Sequence, residues 1–478
     1  MTRRYPVSPA PGPLEDYGEC FDALFGARAQ RHSFRRYLEG LLLPSERNKT
    51  LTTLANTEPV AGAQRREAQS LQWFLSESRW DPKEVNARRL ELVRQAPRTA
   101  PTEEGVLVID EHGDRKWGKH TAHVGRQWLA NIGKTDSGVV SVSSLWADEK
   151  IYWPVNFEPY TPAHHFEGGK EDPKFRTKLK IASQLVEQAV EGGIPFRAVV
   201  ADSFYGEDEG FKRSLSELGV GYVLALKPSH AWWHRVGEIG SPWEAAVAAG
   251  EGWKDEKRPG EWVKVVRRFR DGHEETWWAL EVDVGPYGPQ RERRSVVATT
   301  DPKALPDKAT WYLVTNLPHP ECSERAHEEE SKLEAVDLSE IVRLYGLRMW
   351  VEQSYKQVKH VLGWSDYQVR SDIAMRRHWQ LVCSVRSRFV GGHMGTCLPK
   401  RRSPRQRTLL LRTWMQQEGE RRPKVSWPET LRAVRGWLEP WIMLRRYWRA
   451  FSGMPPPPQL KALLERVFSG RGLYLYVH

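Results

Sequence analysis

Apolar positions at helical spacing, interrupted by polar segments, run through the first 100 residues of the chain. Phe34, Tyr37, Leu38 and Leu41 recur every three or four residues, and the later segment AQRREAQSLQWFLSES has the same spacing. This pattern predicts a small helical domain over residues 15–100. A loose arm rich in proline and glycine is expected before it, over residues 1–14.

At residue 105 the pattern changes to compact runs of β-forming residues. The run VLVI at 106–109 has no polar alternation, which is typical of a central strand buried on both faces, and it ends in Asp110. A second such run, PFRAVVAD, ends in Asp202. Strands are also expected in GVVSVSSLWA, KIYWPVNFEPY and VGYVLALKP, and helices in KFRTKLKIASQLVEQAVEGG and EGFKRSLSELG. Together they predict a mixed α/β domain that begins at residues 101–228.

The second half of the chain interrupts and then completes this domain. Residues 229–335 contain β-branched and aromatic runs separated by Gly, Pro and Asp, which predicts a mostly-β insertion. One long helix is expected from Leu338 to about Leu362, within a segment 336–390 that returns to the α/β domain. Residues 391–478 read as a basic, Trp-rich helical region.

Composition favours a soluble protein with a polyanionic partner. The formal net charge is +11 and the pI is near 9.4, with arginine clusters at residues 31–36 and 400–407. No apolar run reaches the roughly 18 residues of a membrane-spanning helix, and no signal peptide is recognisable at the N-terminus. The 4 cysteines show no CxxC spacing, which argues against a zinc ribbon or disulfide scaffold and fits a reducing cytoplasm.

Asp110 and Asp202 are candidates for phosphodiester chemistry. That chemistry needs an activated water or 3′-OH and compensation of charge in the transition state, and carboxylate-bound Mg²⁺ ions supply both. Each aspartate alone more often marks a simple strand-to-turn transition. Glu111, Asp114 and Asp208 are nearby alternatives, expected on turns past the strand ends.

A more specific pattern lies in RLYGLRMWVEQSYKQVKHVLGW. In one helix, its Tyr345, Arg348, Glu352 and Lys359 would fall within roughly 60° of one another. Such a face suits a cleft in which a carboxylate completes a metal site while Arg and Lys hold phosphates. An ordinary ion-paired helix is the alternative.

These four residues resemble the Y-x2-R-x3-E-x6-K signature of bacterial insertion-sequence transposases in the DDE superfamily. The segments VLVIDEHGDRKWGKHTAHVGRQWLANIG, PFRAVVADSFYG and TWYLVTNLP are similar to the branch described as DDE superfamily endonucleases. The resemblance extends over roughly residues 20–390. It implies an RNase H-like core, interrupted by the β insertion and flanked by helical regions. It also implies that Asp110, Asp202 and Glu352 are catalytic and bind two Mg²⁺ ions, which Mn²⁺ can replace.

The resemblance carries further expectations about DNA. It implies a homodimer that binds terminal inverted repeats, cuts at the element ends and joins the 3′-OH ends to target DNA. Tyr345, Arg348 and Lys359 would contact DNA, near a hairpin phosphate where one forms. One of Trp277, Trp278 and Trp311 would hold a flipped base. The alternatives left open are a domesticated DNA-binding protein without activity, an RNase H-like nuclease, and a basic protein with no site.

Overall fold

A ten-stranded mixed sheet forms the centre of the chain, with helices before and after it in sequence. The computed structural model describes residues 3–6, 13–45, 47–230, 232–234, 239–269, 272–282, 284–285, 293–305, 309–320, 333–388, 427–428, 430–432, 434–436, 438–439, 442 and 474–477. Among these residues, no helix is both long enough and apolar enough to cross a membrane. Most of the basic region predicted over 391–478, including the arginine cluster at 400–407, lies outside them.

The strands and helices have the following bounds. The strands are β1 (Arg3–Pro6), β2 (Val106–Arg115), β3 (Gly125–Leu129), β4 (Lys134–Ala147), β5 (Tyr152–Tyr160), β6 (Ala198–Ala201), β7 (Tyr222–Ala225), β8 (Trp232–His234), β9 (Ile239–Gly240), β10 (Val263–Arg268), β11 (Glu274–Val282), β12 (Val284–Gly285), β13 (Arg294–Thr299), β14 (Thr310–Thr315) and β15 (Tyr474–Val477). The helices are α1 (Pro13–Glu19), α2 (Arg28–Leu42), α3 (Leu51–Leu54), α4 (Arg66–Ser76), α5 (Pro82–Gln95), α6 (Lys178–Glu191), α7 (Ser203–Gly206), α8 (Glu209–Glu217), α9 (Pro242–Gly250), α10 (Leu338–Gly346), α11 (Met349–His360) and α12 (Asp372–Arg388).

Five strands of the large sheet have the order β5-β4-β2-β6-β7. β4 is antiparallel to both β2 and β5, whereas β2, β6 and β7 are mutually parallel neighbours. In chain order this is 3-2-1-4-5, the arrangement of an RNase H-like core, so the predicted fold class is confirmed. α6 packs on β4 and β5 and connects β5 to β6 in the chain.

The insertion is mostly β, as predicted, and it extends the same sheet. β14 pairs antiparallel with β7, and β13, β11 and β10 follow outward from it. α9 packs on β11 and β13, while β8, β9 and β12 form a separate three-stranded sheet.

Apolar residues of β2, β6, β7, β13 and β14 form the main core together with α10 and the start of α11. Its fully buried members include Val108, Val200, Val223, Ile341 and Leu344. α10 thus packs on the apolar strands, and this packing sets the position of the chain where it continues after Gly346.

Two predicted elements differ from the structure. β2 does not end at Asp110 but continues to Arg115, because β4 pairs with it throughout, from Ala147 opposite Val106 to Gly138 opposite Arg115. The polar residues beyond Asp110 are accommodated by bonding to each other, since His112 Nε2 lies 3.1 Å from Asp114 Oδ1. Glu111 and Asp114 therefore lie on the strand and not on a turn.

The long helix expected over 338–362 is in fact two helices, α10 and α11. At the break the backbone makes i→i−3 hydrogen bonds: Leu347 N–H to Leu344 O at 3.2 Å, and Arg348 N–H to Tyr345 O at 3.0 Å. These tighter turns change the direction of the side chains on either side. The single helical face inferred for Tyr345, Arg348, Glu352 and Lys359 was wrong in this respect.

The chain divides into two compact units, residues 1–100 with 356–478, and residues 101–355. In the first, α12 packs with α2, α4 and α5, and Arg377 donates to the carbonyl oxygens of Leu75 and Trp80 at 2.7 and 2.6 Å. The helical domain expected at 15–100 thus includes a C-terminal helix, and the α/β unit ends at Tyr355, earlier than the expected 390. The arm expected to be loose contains β1, which pairs with β15.

Candidate active site

Asp110 and Asp202 lie beside each other on neighbouring parallel strands. β2 and β6 pair in register from Val106 opposite Ala198 to Val108 opposite Val200. Extending this register two residues along each strand places Asp110 alongside Asp202. β6 ends just before Asp202 while β2 continues with β4 alone, so the sheet opens at the level of the two carboxylates.

Local hydrogen bonds and close packing hold Asp202 in place. Asp202 is the N-cap of α7, and its carboxylate accepts a hydrogen bond from the Phe204 N–H at 3.1 Å. Gly206 ends α7 directly against β7, where any Cβ would collide with the carbonyl oxygen of Ala225. The carboxylate of Asp110 accepts from the Glu111 N–H at 2.9 Å. Backbone contacts therefore fix both aspartates.

One guanidinium faces both carboxylates. Nη2 of Arg348 lies 3.6 Å from Oδ2 of Asp110 and 3.8 Å from Oδ2 of Asp202. The side chain of Asp110 is 12% exposed and that of Asp202 is 38% exposed, so the group opens to solvent on the Asp202 side. The turn between α10 and α11 is what directs Arg348 toward the strands.

The electrostatics show that this anionic site is not fully compensated. Burial raises the pKa of Asp110 from 3.8 to about 7; the attraction of Arg348 opposes this shift, and the charge of Asp202 adds to it. Burial lowers the pKa of Arg348, but Asp110, Tyr345 and Asp202 outweigh it and keep that pKa above its ordinary value. One guanidinium between two carboxylates leaves room for further positive charge.

Glu352 is not brought to the aspartates. It lies in the first turn of α11 with an exposed side chain, and its charge acts on Arg348. Within the described part of the chain, no three His, Cys, Asp or Glu side chains gather closely enough to hold a metal ion. Lys359 lies in the last turn of the same helix. The structure thus joins Asp110, Asp202 and Arg348.

Tyr345 lies beside this group and against an aromatic cluster of the insertion. It is 8% exposed, and burial raises its pKa to about 12. Trp311 contacts it edge-on, with ring centroids 4.9 Å apart. Trp277 and Trp278 are 3% and 4% exposed, so both are packing residues in the sheet, which leaves the half-buried Trp311 as the tryptophan next to the site.

Arg267 is a residue of this region that the sequence analysis missed. Its guanidinium lies over the rings of Trp277 and Trp311 at 5.2 and 4.9 Å from their centroids. It also donates to the carbonyl of Gly346 at 3.5 Å, and a Cβ on Gly346 would meet its guanidinium. The insertion therefore braces the end of α10, immediately before Arg348. No sequence signal distinguishes Arg267 from the other arginines of WVKVVRRFR.

Two tyrosines of the site were also missed. The hydroxyl of Tyr355 lies 2.6 Å from Ser143 Oγ, and its ring centroid lies 4.5 Å from that of His112. Tyr205 is fully buried, and its hydroxyl has no hydrogen-bond partner among the described residues. Burial, with the charges of nearby carboxylates, raises the pKa of both phenols well above the ordinary value. Tyr355 follows Glu352 by three residues, and this helical spacing is the sequence signal that could have identified the tyrosine.

The alternative acids near the strands have other partners. Glu111 Oε2 lies 2.8 Å from Lys178 Nζ, and Asp114 bonds to His112. Asp208 caps α8 by accepting from the Phe211 N–H at 2.6 Å. These contacts explain their positions structurally and favour Asp110 and Asp202 as the chemically available pair.

Comparisons with known proteins show the family of this chain. The family model described as DDE superfamily endonuclease matches residues 20–280, and the one described as Transposase DDE domain matches residues 176–387. The chain is 32% identical over 370 residues to the probable transposase for insertion sequence element IS701 from Microchaete diplosiphon, covering 77% of this chain and 85% of that protein. Because the first model covers more than half of the chain and this relative is 32% identical over 77% of it, the chain belongs to the insertion-sequence transposases of the DDE superfamily.

Proposed function

We propose that this transposase cuts DNA at the ends of its own element and joins the freed 3′-OH ends to target DNA. The observation that carries the proposal is the placement of Asp110 beside Asp202, with Arg348 within 4 Å of both. A DDE family member with two adjacent carboxylates at a sheet opening has the charge arrangement that phosphodiester chemistry requires.

The residues present fit divalent metal ions. Asp110 is a nearly buried carboxylate that a single guanidinium does not neutralise, and carboxylate oxygens are the ligands that Mg²⁺ prefers. Asp110, Asp202 and Glu352 would hold two Mg²⁺ ions, with Mn²⁺ as a substitute. When bound, such ions activate the attacking water or 3′-OH and offset charge on the transferred phosphate. For Glu352 this role requires α11 to approach the strands when DNA and metal bind.

The remaining site residues would orient the DNA. Arg348 presents a planar guanidinium that can exchange carboxylate oxygens for phosphate oxygens, and Lys359 adds a second cation on α11. The phenol of Tyr345 stays protonated, since its pKa is about 12, and so serves as a hydrogen-bond donor. If excision passes through a hairpin, Trp311 beside Tyr345 is the tryptophan placed to stack on a flipped base.

The DNA partners follow from this reaction. The proposed substrates are the terminal inverted repeats of the element and the target duplex, bound by a homodimer in the cytoplasm at the nucleoid. The net charge of +11 supports binding to a polyanion. The helical unit that contains α2, α4 and α5 is proposed to bind the element ends.

The test compares cleavage with binding on duplexes that carry the inverted repeats flanking the gene. We expect Asp110→Asn, Asp202→Asn and Glu352→Gln each to lose cleavage at least about 100-fold in Mg²⁺ while binding the ends like the wild type. Glu217→Gln, at an exposed position on α8, is the matched control and should retain cleavage. Full cleavage by Glu352→Gln would remove Glu352 from the site. A wild type that binds but never cuts would indicate a domesticated protein, and cleavage without preference for the ends would indicate a general nuclease.

A further inference from the structure

The exposed face of α4 differs in composition from an ordinary solvated helix face. Ala68, Leu71, Phe74 and Leu75 are buried. The opposite side presents arginine, amide, hydroxyl and indole groups, all exposed: Arg65, Arg66, Gln69, Ser70, Gln72 and Trp73. These are the groups that hydrogen-bond to base edges or contact their apolar parts in the major groove.

The neighbouring helix α5 shows what an ordinary face looks like in the same unit. Its solvent side alternates charges, with Arg88 2.6 Å from Glu91 and Gln95 bonded to Glu91 at 2.9 Å. Such pairs along a helix are the usual solution for solvation. On α4, by contrast, Arg66 makes no ion pair with any described residue. Gln69 donates to the carbonyl oxygen of Ala63 at 2.7 Å, whereas the side chains of Arg66, Gln72 and Trp73 bond to no described residue and are available to a ligand.

A groove runs along this face, with α2 as its other wall. Arg28 and His32 line it from α2, and Arg66, Gln69 and Trp73 line it from α4. Four arginines contribute to its lining, Arg28, Arg36, Arg66 and Arg79, against two glutamates, Glu67 and Glu77. Arg36 is paired with Glu39 at 2.9 Å, which leaves three arginines against two glutamates. The remaining excess of positive charge complements a polyanion.

The groove is less suited to a protein or a membrane. Trp73 is 64% exposed and is the only large apolar side chain exposed on α4, a helix that the structure describes in full. A protein-docking surface or membrane-binding face needs a contiguous apolar patch. A single exposed indole amid arginines and amides is instead the composition of a nucleic-acid surface.

We propose that α4 is the helix that reads base sequence, inserted into the DNA major groove with the α2 wall against the phosphates. With 11 residues and a rise of about 1.5 Å each, α4 is about 16 Å long, enough to lie in a groove about 12 Å wide. Arg65 is its N-cap, and Arg66 and Glu67 lie in its first turn. No side chain caps the helix, so the backbone N–H groups there can also face a phosphate that Arg65 and Arg66 attract. Gln69, Gln72 and Trp73 then lie toward the bases.

This inference rests on the proposed function, and the test separates the two. The full chain in EDTA is used to select bound duplexes from a randomised pool, and binding to a selected duplex is compared with binding to a scrambled one. We expect Gln69→Ala, Gln72→Ala and Trp73→Ala each to reduce the preference for the selected duplex by about 10-fold. Binding to the scrambled duplex should change little. Arg66→Ala should weaken binding to both duplexes and lower its salt dependence, if Arg66 contacts phosphate.

The matched control is the double variant Arg94→Ala and Gln95→Ala, which removes the same kinds of group from the exposed side of α5. It should keep the wild-type preference. Melting temperatures establish that every variant is folded, and Arg66→Ala and Gln72→Ala remain informative if Trp73→Ala is not. Wild-type preference in the Gln69→Ala, Gln72→Ala and Trp73→Ala variants would overturn the assignment of α4 while leaving the transposase function intact. A wild type that selects no sequence at all would contradict the proposed end binding itself, and with it this assignment.

Discussion

Neutralising Asp110 should stabilise the metal-free protein even as it abolishes cleavage. The pKa of Asp110 is about 7 in the folded state because of burial, against 3.8 in an unfolded chain. A carboxyl with a raised folded-state pKa contributes stability below the unfolded value, and that stability is lost as the pH rises through the folded value. The shift of about 3 pKa units corresponds to about 4 kcal/mol at 1.36 kcal/mol per unit. Asp110→Asn keeps the shape and an acceptor for the Glu111 N–H but carries no charge.

The expected result is a pH-dependent difference in the free energy of unfolding between Asp110→Asn and the wild type. In EDTA it should be about 1–2 kcal/mol near pH 5 and reach about 4 kcal/mol above pH 7. Urea unfolding measures it, with amide exchange of β2 and β6 peptides reporting on this unit. Adding Mg²⁺ should stabilise the wild type and narrow the difference.

Asp255→Asn is the control within the same unit. A hydrogen bond from Arg258 holds the pKa of Asp255 below its ordinary value, so removing that charge should give no stabilisation at any pH. The reasoning about Asp110 would be refuted if Asp110→Asn were no more stable than the wild type above pH 7. A gain that did not vary with pH would refute it equally.

Three further predictions test the packing around the site. Gly206→Ala should lower the free energy of unfolding by about 2–3 kcal/mol, because the added Cβ would collide with the backbone of Ala225. Gly26→Ala is the control and should change this free energy little, since the space around Gly26 is open. Thermal unfolding compares the two variants. Tyr355→Phe and Ser143→Ala should be coupled by about 1 kcal/mol in a double-mutant cycle of unfolding, since their hydroxyls lie 2.6 Å apart, and additive effects would contradict that bond. Burial raises the pKa of Cys383 to about 11, so iodoacetamide at pH 8 should label this thiol only after the protein unfolds. Mass spectrometry of the peptide that contains Cys383 measures the labelling, and rapid labelling of the native protein would contradict the burial of the thiol.

Much of the fold could be predicted because the apolar runs are distinctive. The runs at 106–109 and 198–201 lack alternation, and both are central parallel strands buried on two faces. What could not be predicted is how far a strand continues beyond its apolar part, because that depends on the strand that pairs with it. β2 continues for five residues after Asp110 because β4 is long enough to pair with it, and residue patterns do not reveal the length of a partner strand.

The candidate site was predictable in its strand residues and less so in its helix. Asp110 and Asp202 follow two runs of equal character, and parallel pairing places their ends together. The face of Tyr345, Arg348, Glu352 and Lys359 assumed an unbroken helix. At the break, Arg267 of the insertion lies against Gly346, and this long-range contact cannot be read from the sequence around residue 346. Gly346 itself is the local signal for a helix end at this point.

The break explains how a half-buried arginine and an exposed glutamate can come from adjacent turns of the same motif. A continuous helix would direct Arg348 and Glu352 to the same side, yet Arg348 faces the aspartates while Glu352 is exposed. The single positive charge of Arg348 thus offsets only part of the combined negative charge of Asp110 and Asp202, whereas divalent metal ions would offset more of it. A bound divalent cation would offset the negative charge that burial disfavours at Asp110. A site that destabilises the metal-free fold in this way gains selectively from metal binding, which is why stability and cleavage should respond to Asp110→Asn in opposite directions.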